Sequence, residues 1–173
     1  MFENSTTYSI DRKHEGSFAW RRIGLIALYT AVVIAFFVLI YTTRAVPLFA
    51  ICPMALFILC LATWRYTQLT NEYAIEVGNI TFSRIWGNRS RKTVLKLPVR
   101  ELLAVYPAED AGAGQFKRVY DFRGSVKTPD AYCIEFTDGE ERSLIYFEAT
   151  KKAIKLIAMY NPNAVRGRKE LRY

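Results

Sequence analysis

IGLIALYTAVVIAFFVLIY (residues 23–41) and AVPLFAICPMALFILCLATW (residues 45–64) are charge-free runs of nineteen and twenty residues, separated only by Thr42, Thr43 and Arg44. An α-helix rises about 1.5 Å per residue, so each run matches a bilayer core of about 30 Å. In lipid such a segment satisfies its backbone as a helix. The pair therefore predicts a transmembrane helical hairpin within residues 20–66. The first run is too long for the apolar region of a signal peptide, and a second follows at once. Trp20, Tyr41, Trp64 and Tyr66 flank the runs, where amphipathic rings favour the headgroup layer.

The charge supports the same placement. The formal net charge is +8. Arg12, Lys13, Arg21 and Arg22 precede the first run and Arg65 follows the second, whereas the short connection holds Arg44 alone. Basic residues are retained inside, so both termini are expected in the cytoplasm and the protein in the inner membrane. The remaining positive charge then faces anionic lipid, and no nucleic-acid partner is needed to explain it. Neither run carries an ionisable residue, which argues against a channel or proton path. Pro47 falls in the first turn of the second helix, where its missing N–H is harmless; Pro53 is interior and predicts a kink. Cys52 and Cys60 lie in the second run and Cys133 in an expected strand, so reduced thiols rather than a disulfide framework are expected.

Outside the hairpin, residues 1–19 show no periodicity and read as a flexible cytoplasmic tail. After it the period changes to two. Tyr73, Ile75 and Val77 share one face of a strand at 71–77, and Ile80, Phe82 and Trp86 one face of a strand at 80–86. Gly78-Asn79 between them is a hairpin signal, because both residue types tolerate positive φ. A third strand at 91–97 ends at Pro98, and a turn at 99–101 leads into a fourth at 102–107. Residues 108–130 form an unusually long patternless connection. Strands at 131–137 and 142–147 follow, joined by Asp138-Gly139. Thr150 caps a final helix at 151–160, with Ile154, Ile157 and Ala158 on its apolar face and Lys151, Lys152 and Lys155 elsewhere. The β domain thus covers 67–161, with its helix at 150–161, and a basic tail at 162–173 ends the chain.

A strand meander, further strands and one C-terminal amphipathic helix resemble a pleckstrin-homology-like (PH-like) domain. The residues that carry the resemblance are Trp64-Arg65-Tyr66-Thr67-Gln68-Leu69-Thr70-Asn71-Glu72-Tyr73 after the hairpin, then Gly78, Arg84, Arg89, Arg91 and Lys92, and the turn Leu97-Pro98-Val99-Arg100-Glu101-Leu102. Over residues 20–160, apart from the long connection at 108–130, the chain is similar to bacterial membrane proteins in which a two-helix hairpin precedes such a domain. The resemblance implies an α+β membrane protein: a hairpin followed by a PH-like β-barrel or bent antiparallel sheet, capped by the C-terminal helix. It also implies a membrane-tethered binding or scaffolding module. Phosphoinositide specificity does not carry over, since the Gly78-Asn79 connection holds no lysine or arginine.

Two basic groups are candidate contacts for anionic lipid headgroups or a protein partner. Arg84, Arg89, Arg91 and Lys92 converge on the hairpin between the second and third strands, worth about 2–4 kcal/mol against an anionic surface. Lys117 and Arg118 stand in the long connection with Tyr120, Phe122 and Arg123, whose rings are candidates for the lipid interface. The more ordinary roles are edge-protecting charge for the first group and a solvated loop for the second. His14, the only histidine, lies in the tail, so no His-dependent catalytic site or His-rich metal site is expected in the domain. No enzyme activity, cofactor or metal is expected. The functional expectation is a non-catalytic binding or scaffolding module at the cytoplasmic membrane surface. Its alternatives are an anionic-lipid surface sensor and an accessory subunit of a membrane transport complex.

Overall fold

The computed structural model describes residues 5–13, 15, 17–44, 48–87, 90–112, 115–139 and 141–167. The chain forms two compact units, residues 14–69 and residues 1–13 with 70–173. The first unit contains α1 (Ser17–Thr43) and α2 (Leu48–Trp64), then a 3-10 turn at Arg65–Thr67. Their cross-contacts run in opposite chain order. The Arg22 guanidinium lies 5.0 Å from the Trp64 ring centre, Tyr29 Oη is 2.5 Å from Thr63 Oγ1, and the Phe37 and Phe49 rings meet edge-on at 6.2 Å. The helices are therefore antiparallel. Thr30, Thr42, Thr43 and Thr63 donate their hydroxyls to carbonyls three or four residues back, so these polar groups do not oppose an apolar environment.

Two equivalent spans were expected; among the described residues one helix is long and apolar enough to cross a membrane, Ala19–Thr43. The 17 residues of α2 extend about 26 Å, shorter than the apolar run from which the second span was expected. Pro53 lies inside α2, and the helix continues through it. Pro47 lies outside the described residues.

Among the described residues, the second unit holds eight strands: β1 (Ser5–Asp11), β2 (Leu69–Glu76), β3 (Asn79–Trp86), β4 (Ser90–Pro98), β5 (Leu102–Pro107), β6 (Arg118–Asp121), β7 (Ala131–Asp138) and β8 (Glu141–Glu148), and then α3 (Lys151–Tyr160). They form two four-stranded sheets, ordered β1-β2-β3-β4 and β5-β7-β8-β6, rather than one closed barrel. Nor is the arrangement wholly antiparallel, because β6 runs parallel to β8. The alternation seen in the sequence sets the inward face. Tyr73 and Ile75 of β2, Ile80 and Phe82 of β3, Tyr132, Ile134 and Phe136 of β7, and Ile145 and Phe147 of β8 are all buried in one core. Phe82 and Phe147 meet at 6.0 Å, and Tyr73 and Phe147 edge-on at 5.4 Å.

α3 closes this core with Ala153, Ile154, Leu156 and Ile157. Thr150 Oγ1 accepts from Ala153 N (3.2 Å) as the expected N-cap, and Tyr73 Oη accepts from Thr150 N (3.2 Å). The other end is held by Asn161, whose amide donates to the carbonyls of Val99, Arg100 and Leu102 at 3.1–3.2 Å. That contact fixes the 3-10 turn Val99–Glu101 between the sheets.

Three segments without a readable pattern are structured. Ser5–Asp11, expected as tail, pairs antiparallel with β2 from Ser5 opposite Glu76 to Asp11 opposite Thr70. The domain therefore begins before the helices rather than after them. The long connection contains a 3-10 turn at Ala108–Asp110 and then β6. Beyond α3, Val105 N donates to Ala164 O (2.7 Å) and Arg166 N to Val105 O (2.8 Å), so this part of the expected tail lies along β5. Residues 168–173 lie outside the described residues.

The β2–β3 turn is placed one residue earlier than expected. Val77 and Gly78 take the positive φ values, 47° and 76°, and Asn79 starts β3. A β-branched residue in the left-handed region costs about 1–2 kcal/mol, and Val77 is 83% exposed, so its side chain gains little packing in return. Val77→Asn is expected to stabilise the protein by about 1 kcal/mol, read as a thermal midpoint raised by several degrees. An unchanged or lower midpoint would contradict this account of the turn.

Candidate functional site

The pairing of Asp11 with Thr70 defines one end of the β domain, where the chain leaves for the helices and returns. Thr70 Oγ1 donates to Asp11 Oδ1 at 2.6 Å. The connection after β6 is bound to this end at several points. Lys13 N donates to Gly124 O (2.7 Å), Asn71 Nδ2 to Arg123 O (3.1 Å), and Gly124 N to Glu148 Oε1 (2.9 Å). Gly124 admits no side chain: a Cβ there would lie 2.8 Å from Ile10 Cγ1 and 3.0 Å from Asp11 O. Glycine is required by close approach alone.

Asp121 is the centre of charge at this end. Arg123 Nε donates to its Oδ1 at 2.9 Å, and the Arg12 guanidinium approaches its Oδ2 at 3.8 Å. Arg84 Nη2 donates to the Asp121 carbonyl at 3.2 Å. Two guanidiniums are also stacked on rings, Arg84 over Phe122 (5.0 Å) and Arg123 over Tyr146 (4.3 Å). Two arginines, Arg12 and Arg123, thus meet the Asp121 carboxylate, and a third, Arg84, meets its main-chain carbonyl.

The expected contact residues divide between two places. Arg84 and Lys92 are cross-strand neighbours, with Arg91 opposite Ile85. Arg91 Nη2 donates to Glu72 Oε1 at 2.6 Å, and Lys92 is exposed. Arg89 lies outside the described residues. Lys117 and Arg118 stand at the β7–β8 end instead, where Lys117 pairs with Glu141, and Arg118 with Asp138 at 3.0 Å. Of the rings beside them, Phe122 is buried and Tyr120 half-buried. Phe122 is buried against Phe82 at 4.9 Å, and Tyr120 packs on Phe136 at 6.4 Å. Sequence reasoning missed Arg12 and Arg123 as partners of Asp121. The available signal was the Asp121-Phe122-Arg123-Gly124 run, in which an acid and a base flank one apolar residue.

A shallow cleft of about 320 Å³ lies elsewhere on the domain, lined by Tyr106, Asp110, Gly112, Glu135, Arg166 and Gly167. Tyr106 Oη donates to Glu135 Oε1 at 2.5 Å. Burial first, and then this carboxylate, push the Tyr106 phenol above its ordinary range, so it remains a donor. Among the described residues, no group of three His, Cys, Asp or Glu is placed to hold a metal ion.

The family described as bacterial PH-like domain (DUF6106) matches residues 6–167. The chain belongs to this family. No curated protein and no solved structure matches the chain. The matched stretch of the PH-like domain begins in β1 and ends at Gly167, so β1, both helices and the segment along β5 all fall within it.

Two outcomes test the site's construction. Asp121→Ala leaves Arg12 and Arg123 repelling each other and is expected to destabilise the protein by about 1–3 kcal/mol; Asp121→Glu should recover part of the loss. Separately, burial pushes the Cys133 thiol up to about 12 and the Tyr73 phenol to about 12, each above its ordinary value. Both groups are protonated in the folded state at pH values where the unfolded chain ionises. Their contribution is therefore complete below pH 9 and is lost as pH rises from 9 towards 12. The thermal midpoint should fall over that window, and Cys133 should resist a thiol reagent at pH 8 until the protein unfolds. Rapid labelling of native Cys133 would contradict its burial.

Proposed function

We propose that this PH-like protein is a membrane-anchored, non-catalytic binding or scaffolding module whose β domain works at the cytoplasmic surface of the inner membrane. The observation that carries the reading is the Asp11–Thr70 pairing. Residues 12–69 leave the domain and return to the same point, so any passage through a bilayer has an even number of crossings. α1 is long enough for one crossing, and no part of its apolar window is buried. Exposed Phe37, Phe49, Met54, Phe57 and Leu61 extend the apolar surface over both helices. An exposed area of this kind needs a cover, and lipid is the simplest one. α2 is then the returning span.

The orientation follows from Arg12, Lys13, Arg21, Arg22 and Arg65 set against Arg44 alone. The connections to the β domain, residues 12–16 and 65–68, are each short, about 18 Å of extended chain or less. A domain held on two such tethers stays beside the headgroups.

For the binding role, β4 is an edge strand with residues 90–93 exposed. An open edge accepts an extended segment of a partner through main-chain hydrogen bonds. The positive end around Arg84, Arg91 and Lys92 favours an acidic one, or anionic headgroups in a lipid-sensing role.

The test is one of sidedness. Thr43→Cys, in a background where Cys52 and Cys60 are serine, is expected to react with an impermeant thiol reagent in intact bacterial cells. Val77→Cys should react only after lysis, and the protein should remain in the membrane through carbonate washing. Labelling of Val77→Cys in intact cells would place the domain outside; extraction by carbonate would remove the anchor.

A further inference from the structure

We propose that the edge of β4 takes up, as an added strand, an extended partner segment in which a carboxylate stands between two aliphatic residues. The inference deepens the binding role proposed above, and its geometry lies within the β domain. Two four-stranded sheets leave four edges, and three of them are short or partly covered. At β5, Val105 N donates to Ala164 O and Arg166 N to Val105 O, so the chain after α3 runs along it. β6 is four residues long, and at β1 Gly124 is packed against Ile10. β4 has nine residues, and among the described residues only β3 pairs with it.

The register shows what such a strand meets. Leu95 lies opposite Phe82, and Leu97 opposite Ile80. Phe82 and Ile80 are fully buried, whereas Leu95 and Leu97 pack on the same core but are only half-buried. The core therefore reaches β4 and stops there with its aliphatic side open. Lys96, between the two leucines, lies on the opposite face beside Thr81 and is exposed. An added strand alternates in the same way. Its side chains next to Leu95 and Leu97 are best aliphatic, and the one between them, next to Lys96, is best acidic. The register shifts between Phe82 and Ser83, which makes Val94 the extra residue of a bulge. Beyond it, Lys92 is exposed opposite Arg84 and favours a second carboxylate, while Arg91 is already paired with Glu72.

A second copy of the chain is the wrong occupant. β4 carries Arg91, Lys92 and Lys96 and no acidic residue. Antiparallel pairing of two copies about Val94 sets Lys92 opposite Lys96, and parallel pairing in register sets each cation against its own copy. Like charges directly opposite each other are destabilising, and unlike charges favourable. The lysines that protect the edge from self-association thus select an acidic strand.

The probe is a fluorescein-labelled peptide, TEEVEVEET, which reads the same in both directions, added to the full chain in nonionic detergent. Its anisotropy is expected to rise, and amide exchange of residues 90–97 to slow. A strand bonds to an edge through alternate residues only. N-methylation of the valines and N-methylation of the glutamates flanking them should therefore differ, one set abolishing binding and the other leaving it. Lys92→Glu with Lys96→Glu should weaken the peptide about tenfold and strengthen binding of the counterpart with lysine for glutamate. The methylated peptides need no change to the protein and decide the matter if that variant does not fold. Equal effects of the two methylations, equal binding of the scramble TTEEEEEVV, or exchange slowed elsewhere than at 90–97 overturns the edge. A chain that is dimeric until the peptide is added overturns it in favour of a second copy. Protection of 90–97 by phosphatidylglycerol, with no response to the peptide, overturns it in favour of lipid. Because detergent replaces the bilayer, the outcome is separate from the sidedness test. No peptide binding leaves the anchor standing, and extraction by carbonate leaves the edge standing.

Discussion

The pairing of β1 with β2 is the constraint on which the rest depends. It joins Asp11 to Thr70 across all the residues of the helical unit. Closing a flexible loop of that length costs about 3–4 kcal/mol in chain entropy. β1 offers modest compensation, since only Tyr8 and Ile10 among its larger side chains turn inward, with Tyr8 on Tyr73 at 5.6 Å. The helices reduce the difficulty. Once α1 and α2 pack antiparallel, their outer ends at Ser17 and Trp64 are already brought back toward each other, and the loop left to close is short. Helix pairing and strand pairing therefore support one another, and neither needs to be strong alone.

The same pairing explains how the chain divides its basic residues. Where the tethers leave, Arg12, Arg84, Arg91 and Arg123 are each engaged within the domain, by carboxylates, a carbonyl or an aromatic face. Their planar guanidiniums suit such fixed, multiply bonded positions. The lysines at this end, Lys92, Lys127, Lys151 and Lys155, are exposed. Lysine is a compact, strongly hydrated charge on a flexible stem, suited to a fluid counter-surface rather than to a rigid one. Arginine builds this end of the domain, and lysine gives it its outward charge.

The strands with strong alternation were legible from sequence. β2, β3, β4, β5, β7 and β8 were all expected near their observed bounds, because Tyr73/Ile75, Ile80/Phe82 and Tyr132/Ile134/Phe136 leave one consistent inward face. α3 and its Thr150 cap were legible for the same reason at period 3.6. β1 and β6 were not. STTYSID carries no apolar residue larger than Tyr8 and Ile10, and RVYD is four residues long, so each is a strand only because of its neighbour. Val77 misled through its β-branched side chain, which reads as strand yet sits in the turn. At the candidate site the cations Arg84, Arg91 and Lys92 could be named in advance. Their division into paired arginines and exposed lysine could not, since Glu72 and Asp121 are brought to them only by sheet register and by a connection without pattern.

A domain on two short tethers changes what counts as adequate affinity. With one tether it would sample a hemisphere of positions; with two, leaving from adjacent strands, rotation is also restricted. If the helices cross a bilayer as proposed, the effective concentration of headgroups beside the domain is set by geometry rather than by diffusion, and a contact too weak to recruit a free protein suffices to orient a tethered one. That is why a tight phosphate-gripping loop is not required, and the β2–β3 turn of Val77 and Gly78 provides none. The β4 edge is part of the same rigid domain, so fixing that orientation also fixes the direction in which the edge is offered to a partner. Under the proposed anchoring, holding the domain at the membrane and presenting its edge are two consequences of the one place where β1 and β2 part and rejoin.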